Sequence, residues 1–246
     1  MKILQIFLKL TTLAGAMLLI LPGCAVKQAE VAPEGLLSVL GPFPGFSPED
    51  LPDDWAIKKN GSLDVSQLQI VTKDGMPSLK ITNARDSFVV VRRTSAMMLA
   101  TPFLSWSWLI EPPSTSGHHP VSMVIGFYGG NPTSRSGGSQ PFRWLGSSLP
   151  THDRAMRLIW GESALQRGTL APPPPSSTNE APRYTVRGGR ENAGSWWQET
   201  VDLSDLYRQI WQQDDSAKAQ VVFIGIAAAA GRAPAPAHVS SITLSR

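Results

Sequence analysis

Short segments of period-2 alternation, turn-forming residues between them and one helix-period segment predict a mostly β chain. The expected architecture is a jelly-roll-like antiparallel β-sandwich with one short helix. The clearest alternation is "FLSWSWLIE": Leu104, Trp106, Trp108 and Ile110 share one face while Ser105 and Ser107 take the other. The helical segment is "DLSDLYRQIWQQDD", where Asp202 or Ser204 can cap the start and Asp205 suits the positive end of the dipole. There, Leu206 with Ile210 and Tyr207 with Trp211 form i,i+4 pairs. The connections are dense in Gly and Pro, 21 of each in 246 residues.

The amino-terminal segment is organised differently. Lys2 and Lys9 give a positive start, and Leu10 to Leu21 is an uncharged run too short to span a bilayer, which suits a signal-peptide core. In "MLLILPGC", Leu21 stands three places before Cys24 and the small Gly23 directly before it, so the segment resembles the lipobox of bacterial lipoproteins. The resemblance implies that Cys24 receives a diacylglycerol thioether, that residues 1–23 are removed and that the new amino terminus is acylated. Two chains anchor firmly where one is marginal, at about 0.8 kcal/mol per buried methylene. Ala25 follows, with no aspartate to retain the protein at an inner membrane, so the expected location is the outer membrane, facing the periplasm. The alternatives are an ordinary secretory signal with a chance cysteine and an uncleaved anchor. Residues 24–42 then read as a lipidated tether and residues 43–246 as a single β-sandwich domain.

Along that domain, "SLKITNA" and "DSFVVVRRT", joined by "NARD", read as a hairpin. "VSMVIGFYGG" places Val121, Met123, Ile125 and Phe127 on one side, and "MRLIWGE" does the same with Met156, Leu158 and Trp160. "RYTVRGG", "SWWQETVDL", "AQVVFIGIAAAA" and "VSSITLS" complete about nine strands, of which "VVFIGI", apolar on both faces, should be central. Residues 131–153 and 171–182 read as loops, the proline run in the second being a stiff spacer.

Composition narrows the function classes. Removing residues 1–23 takes away two lysines and no acid, so the formal charge falls from +3 to +1 and gives no electrostatic reason to bind nucleic acid. Cys24 is the one cysteine, so no disulfide forms within the chain and burial must hold the fold, to which eight tryptophans can contribute.

In order and spacing, "LPDDW", the W-x-W strand, "RLIWGESALQRGTL", the Trp-bearing strand that runs into the capped helix and "VVFIGIAAAA" resemble a bacterial group known as domain of unknown function 3047. The resemblance covers residues from about 43 to the end and implies an exported β-sandwich similar to carbohydrate-binding jelly rolls, with no established activity. The chain departs from that group at "GHHPVS" and "GRAPAPAH", where acidic residues and an Asp/Asn-rich turn are usual.

No enzyme motif stands out. His118 and His119 are adjacent, would point to opposite faces of a strand and read as solvated loop residues; with only His152 and His238 besides, neither a metal site nor a cofactor is expected. A glycosidase needs two carboxyl groups about 5 to 9.5 Å apart; Glu162, Glu199 and Asp202 lie on or beside strands, but nothing local selects them over Glu111 or Asp153. Nucleophile-elbow, P-loop and dinucleotide signatures are absent. Sugar rings stack on aromatic faces flanked by hydrogen-bonding groups, which selects Arg143 and Trp144 in "QPFRWLG" and Trp160, Glu162 and Arg167 in "WGESALQR" as candidate ligand-binding residues. Trp196 and Trp197 must face opposite sides of their strand, so one is a candidate for exposure, whereas Trp55, Trp106, Trp108 and Trp211 are expected in the core. The leading expectation is therefore a non-catalytic, lipid-anchored binding module for a glycan or similar polar envelope ligand. Behind it come a scaffold for another envelope protein and a cryptic glycoside hydrolase or lyase.

Overall fold

The apolar faces read from the alternation all turn inward. In the computed structural model, which describes residues 26–41, 50–112, 116–133, 149–173 and 180–246, two sheets enclose one core. The strands among the described residues are β1 (Ala29–Glu30), β2 (Leu37–Ser38), β3 (Trp55–Lys59), β4 (Leu68–Lys73), β5 (Met76–Thr82), β6 (Phe88–Met97) and β7 (Phe103–Ile110). They continue with β8 (Val121–Tyr128), β9 (Arg154–Gly161), β10 (Leu170–Ala171), β11 (Arg183–Gly188), β12 (Trp196–Asp202), β13 (Gln220–Ala228) and β14 (Pro236–Ser245). Among the described residues there is one α-helix, α1 (Leu203–Ile210), which directly follows β12.

The eight-stranded sheet runs β1-β6-β13-β8-β9-β11-β10, with β3 also on β6; the six-stranded sheet runs β12-β7-β14-β5-β4, with β2 also on β14. Pairing is antiparallel apart from β1 with β6 and β9 with β11. The mostly β sandwich with one helix is thus as expected, and β13 lies between β6 and β8 as its doubly apolar sequence requires.

Two expectations are corrected. "SLKITNA" and "DSFVVVRRT" do not form a hairpin: β5 belongs to the six-stranded sheet and β6 to the eight-stranded one. β6 carries apolar residues on both faces, Val90 toward the core and Val89 and Val91 away from it, so it needs cover on both sides, and β5 does not. The connection between the sheets is pinned by Asn83, whose Nδ2 donates to the Ala233 carbonyl and whose Oδ1 accepts from the Ala235 amide. The hairpin is instead β4–β5, closed by Asp74 and Gly75 with φ of 51° and 79°, the pair of left-handed residues that a two-residue turn between twisted strands demands. The tether is also shorter than expected. β1 joins the eight-stranded sheet, β2 joins the six-stranded sheet, and Val39 and Leu40 are buried in the core.

Helix α1 closes one end of the sandwich. Asp202 caps it, accepting from the Asp205 amide and the Ser204 hydroxyl, while Leu203, Leu206 and Tyr207 enter the core. The Tyr207 ring meets Phe127 edge-on at 5.2 Å, and its hydroxyl donates to Asp214, which also takes both Nε and Nη2 of Arg154. Trp55, Trp106 and Trp108 are core residues as expected, and Trp211 packs on the core's margin.

Candidate functional site

The residues singled out in the sequence fall in different places. Cys24, Arg143 and Trp144 lie outside the described residues. Trp160 points inward from β9 and is only 2% exposed; its indole N–H donates to the Gly189 carbonyl at 3.3 Å and its ring meets Trp108 edge-on at 5.7 Å. No face of that ring is open to stack on a sugar, which corrects the expectation: β9 is buried on both sides, so an inward indole is core. Glu162 and Arg167 are exposed beyond the end of β9, Arg167 after a 3₁₀ turn at Ala164–Gln166.

What Arg167 meets is the carboxylate of Glu199, at 3.8 Å. Glu199 is buried on β12, and Arg187 of β11 grips it at 2.5 Å while its guanidinium stacks over Trp197 at 3.7 Å. This ion pair and cation–π contact join β11 of the eight-stranded sheet to the edge strand β12 of the six-stranded one. Glu199 is thereby held by arginine, and Asp202 is committed to the helix cap, so these two of the carboxylates weighed for glycoside hydrolysis serve the framework.

The histidines also separate. His118 is exposed, whereas His119 is buried, its Nδ1 accepting from the Val121 amide at 3.2 Å; burial pulls its pKa from 6.5 to about 4. His152 is buried against Phe223 and His238 lies within β14, so of the four only His118 fits the solvated reading.

Among the described residues, the outer face of the six-stranded sheet sets ligand-competent groups in rows. Because β7 sends Trp106 and Trp108 inward, Ser105, Ser107 and Leu109 turn outward, and strand register extends each into a row. Thr200 of β12, Ser105 and Thr243 of β14 form one row, with the two β7–β12 hydroxyls 2.8 Å apart. Gln198, Ser107 and Ser240 form the next. Trp196, Leu109, His238 and Lys80 form a third, and Phe103 with Ser245 borders the other end.

Gln198, Thr200 and Phe103 are exposed, and Trp196 is partly so, whereas its strand neighbour Trp197 faces the core, as the alternation requires. The three strands therefore present neutral hydroxyl and amide groups between two aromatic borders. Charge sits at one margin, where His238 Nε2 lies 3.3 Å from Glu111 Oε1. Burial lowers the His238 pKa, Glu111 opposes that shift, and Lys73 and Lys80 reinforce it.

Sequence reasoning noted the outward serines of β7 but passed over Gln198, Thr200 and Thr243. Their signal was present as polar residues alternating with the apolar set of β12 and β14.

No family model matches this chain, and no curated protein matches it. Among solved structures, the chain is similar to a family 11 carbohydrate-binding module from Clostridium thermocellum in complex with a β-1,3-1,4-mixed-linked tetrasaccharide. That likeness has 9% identity, 87% of this chain and 96% of that chain covered, and a TM-score of 0.38. It is similar also to endoglucanase 3 of family GH12 from Trichoderma harzianum, at 9% identity, 90% and 96% coverage and a TM-score of 0.42. A third is the xyloglucanase domain of NopAA, a type three effector from Sinorhizobium fredii in complex with cellobiose, at 10% identity, 73% and 93% coverage and a TM-score of 0.36. At such distance none of these proteins lends this chain a ligand or an activity.

Proposed function

We propose that this chain is a lipid-anchored envelope protein whose sandwich binds a hydroxyl-rich glycan, without catalysis, on the outer face of the six-stranded sheet. The observation that carries the reading is the neutral array of Ser105, Ser107, Gln198, Thr200 and Thr243 between Trp196 and Phe103. Hydroxyl and amide side chains both donate and accept, matching sugar hydroxyls in either sense, while partly exposed aromatic rings offer apolar faces to pyranose C–H groups.

The amino-terminal signal supports the location. With Cys24 lipidated and β1 beginning at Ala29, five residue steps separate lipid from sheet, a reach of about 18 Å, so the body sits close over the bilayer.

The test uses the full-length chain, purified in detergent, on an array of neutral and charged bacterial and plant glycans. We expect binding that Trp196→Ala and the double variant Gln198→Ala/Thr200→Ala each weaken at least tenfold with the fold intact by circular dichroism. Array silence, or binding untouched by either variant, overturns the proposed face. Binding that only Trp144→Ala abolishes moves the site to the 131–153 loop. For the anchor, Cys24→Ala is expected to abolish fatty-acid labelling and release the protein from membranes.

A further inference from the structure

On the opposite side of the sandwich, the outer face of the eight-stranded sheet carries a pair of arginines that the glycan face does not use. Arg157 of β9 and Arg183 of β11 are directly paired in register on parallel strands and project to the same side. Like charges placed opposite each other repel, and both side chains are partly buried.

Of the other strand arginines, Arg92 has Asp54, Arg154 has Asp214 and Arg187 has Glu199 as carboxylate partners, and Arg93 donates to the carbonyls of Asp53 and Trp55. Among the described residues Arg157 and Arg183 have none within 4.0 Å. Arg157 is positioned all the same. Its Nε and Nη2 both donate to the buried Ser122 hydroxyl, at 3.2 and 3.1 Å, which holds the guanidinium by one edge. The Nη1–Nη2 end keeps three N–H groups unused, the fork that matches a planar carboxylate.

Around the pair, Val124 lies beside Arg157 on β8, and Ile159 faces Thr185 in the adjoining row. His118 is near enough that the charges of Arg157 and Arg183 depress its pKa further, after burial; Glu180, exposed, is the acid that acts on Arg157 and His118, at a distance and without contact.

We infer that Arg157 and Arg183 form a second binding site, for the carboxylate of an acidic sugar such as a uronic acid. The fork fixes the oxyanion, and two N–H groups lying in one plane match a planar carboxylate. That the carrier is a sugar rests on the glycan reading above; the oxyanion site itself does not.

The experiment titrates the full-length chain in detergent by calorimetry with tetragalacturonate, with neutral galactotetraose and with inorganic phosphate. We expect tetragalacturonate to bind at least tenfold more tightly than galactotetraose. Arg183→Gln should remove at least tenfold of that affinity, Arg157→Gln more, and Glu180→Gln should raise it about twofold by relieving competition. Arg183 is the deciding variant if Arg157→Gln fails to fold, because its side chain makes no hydrogen bond among the described residues.

Equal binding of the charged and neutral tetrasaccharides overturns the site, as does binding unchanged in Arg183→Gln. Inorganic phosphate binding as tightly as tetragalacturonate overturns the assignment to a sugar carboxylate. Since Trp196 and Gln198 lie on the other sheet, loss of neutral-glycan binding in their variants with Arg183-dependent uronate binding intact would fail one proposal and leave the other standing.

Discussion

The two sheets share a core but present opposite exteriors. The outer face of the six-stranded sheet carries exposed and half-buried hydroxyl and amide groups along β12 and β7 and is buried at Leu109, His238 and Ser240, whereas that of the eight-stranded sheet is apolar over much of its area. Ala56, Val89, Val91, Val124, Ala155 and Phe223 form a second buried cluster there, with Leu149 and Ala181 from the flanking connections packed on it. A sheet with one wet face shows strict alternation, and one with two dry faces does not. The comparison teaches that the six-stranded sheet can offer its polar rows along β12 and β7 as a contact surface. The covered sheet can offer only its margin, where the arginine pair lies.

The strongest way to break this contrast is to put the same charge on each exterior. Val91→Lys, at a position 0% exposed on β6, should destabilise the fold by at least about 5 kcal/mol, read by urea unfolding, because an unpaired ammonium has no route to water. Survival of a folded Val91→Lys protein at near wild-type stability would show that the outer cluster is not closed.

Between the faces, Trp160→Ala should cost about 3–5 kcal/mol by the same measurement. The indole is enclosed by Trp108 and the Gly189 carbonyl, so the loss falls on stability. A variant with full stability would return Trp160 to the list of binding candidates.

His119 sharpens the comparison through pH. Its folded pKa, lowered to about 4 from 6.5, means that between those values the unfolded chain binds a proton the folded one refuses. Stability should therefore decline as pH falls from 6.5 to about 4 and level off below, by about 3 kcal/mol for this group. His238, lowered by burial, adds in the same direction. Urea midpoints across that range should show the slope, and His119→Asn should flatten it.

How much of this was legible in sequence follows the same division. β7 could be read residue by residue, since its alternating tryptophans and serines state both the buried and the wet face. β6 and β13 could be recognised as strands but not assigned neighbours, since apolar residues on both faces remove the pattern that marks a side; hence the misplaced hairpin. Trp160 was misread for a related reason: "WGESALQR" has the local composition of a binding loop, and only the pairing of β9 with β8 and β11 shows that its tryptophan lies inside. The arginine pair was invisible because Arg157 and Arg183 meet only through a parallel pairing across 25 intervening residues.

The smallest expected effect belongs to the open face. Ser107→Lys should change stability by no more than about 0.5 kcal/mol, because its side chain stands at the surface of the sheet. Its effect on glycan binding should nevertheless be measurable, since a lysine there would interrupt the neutral array.

The amino-terminal strands carry a mechanical consequence. Within ten residues the chain clips onto both sheets, through β1 on β6 and β2 on β14, and Arg92 locks the second clip by donating to the carbonyls of Ser38 and Val39. A pull applied upstream of Ala29 is therefore shared between the two layers, so traction from that side tightens the body as a unit before it peels either sheet. Trimming the chain to residue 41 to obtain a tidier fragment would unfasten both layers at once.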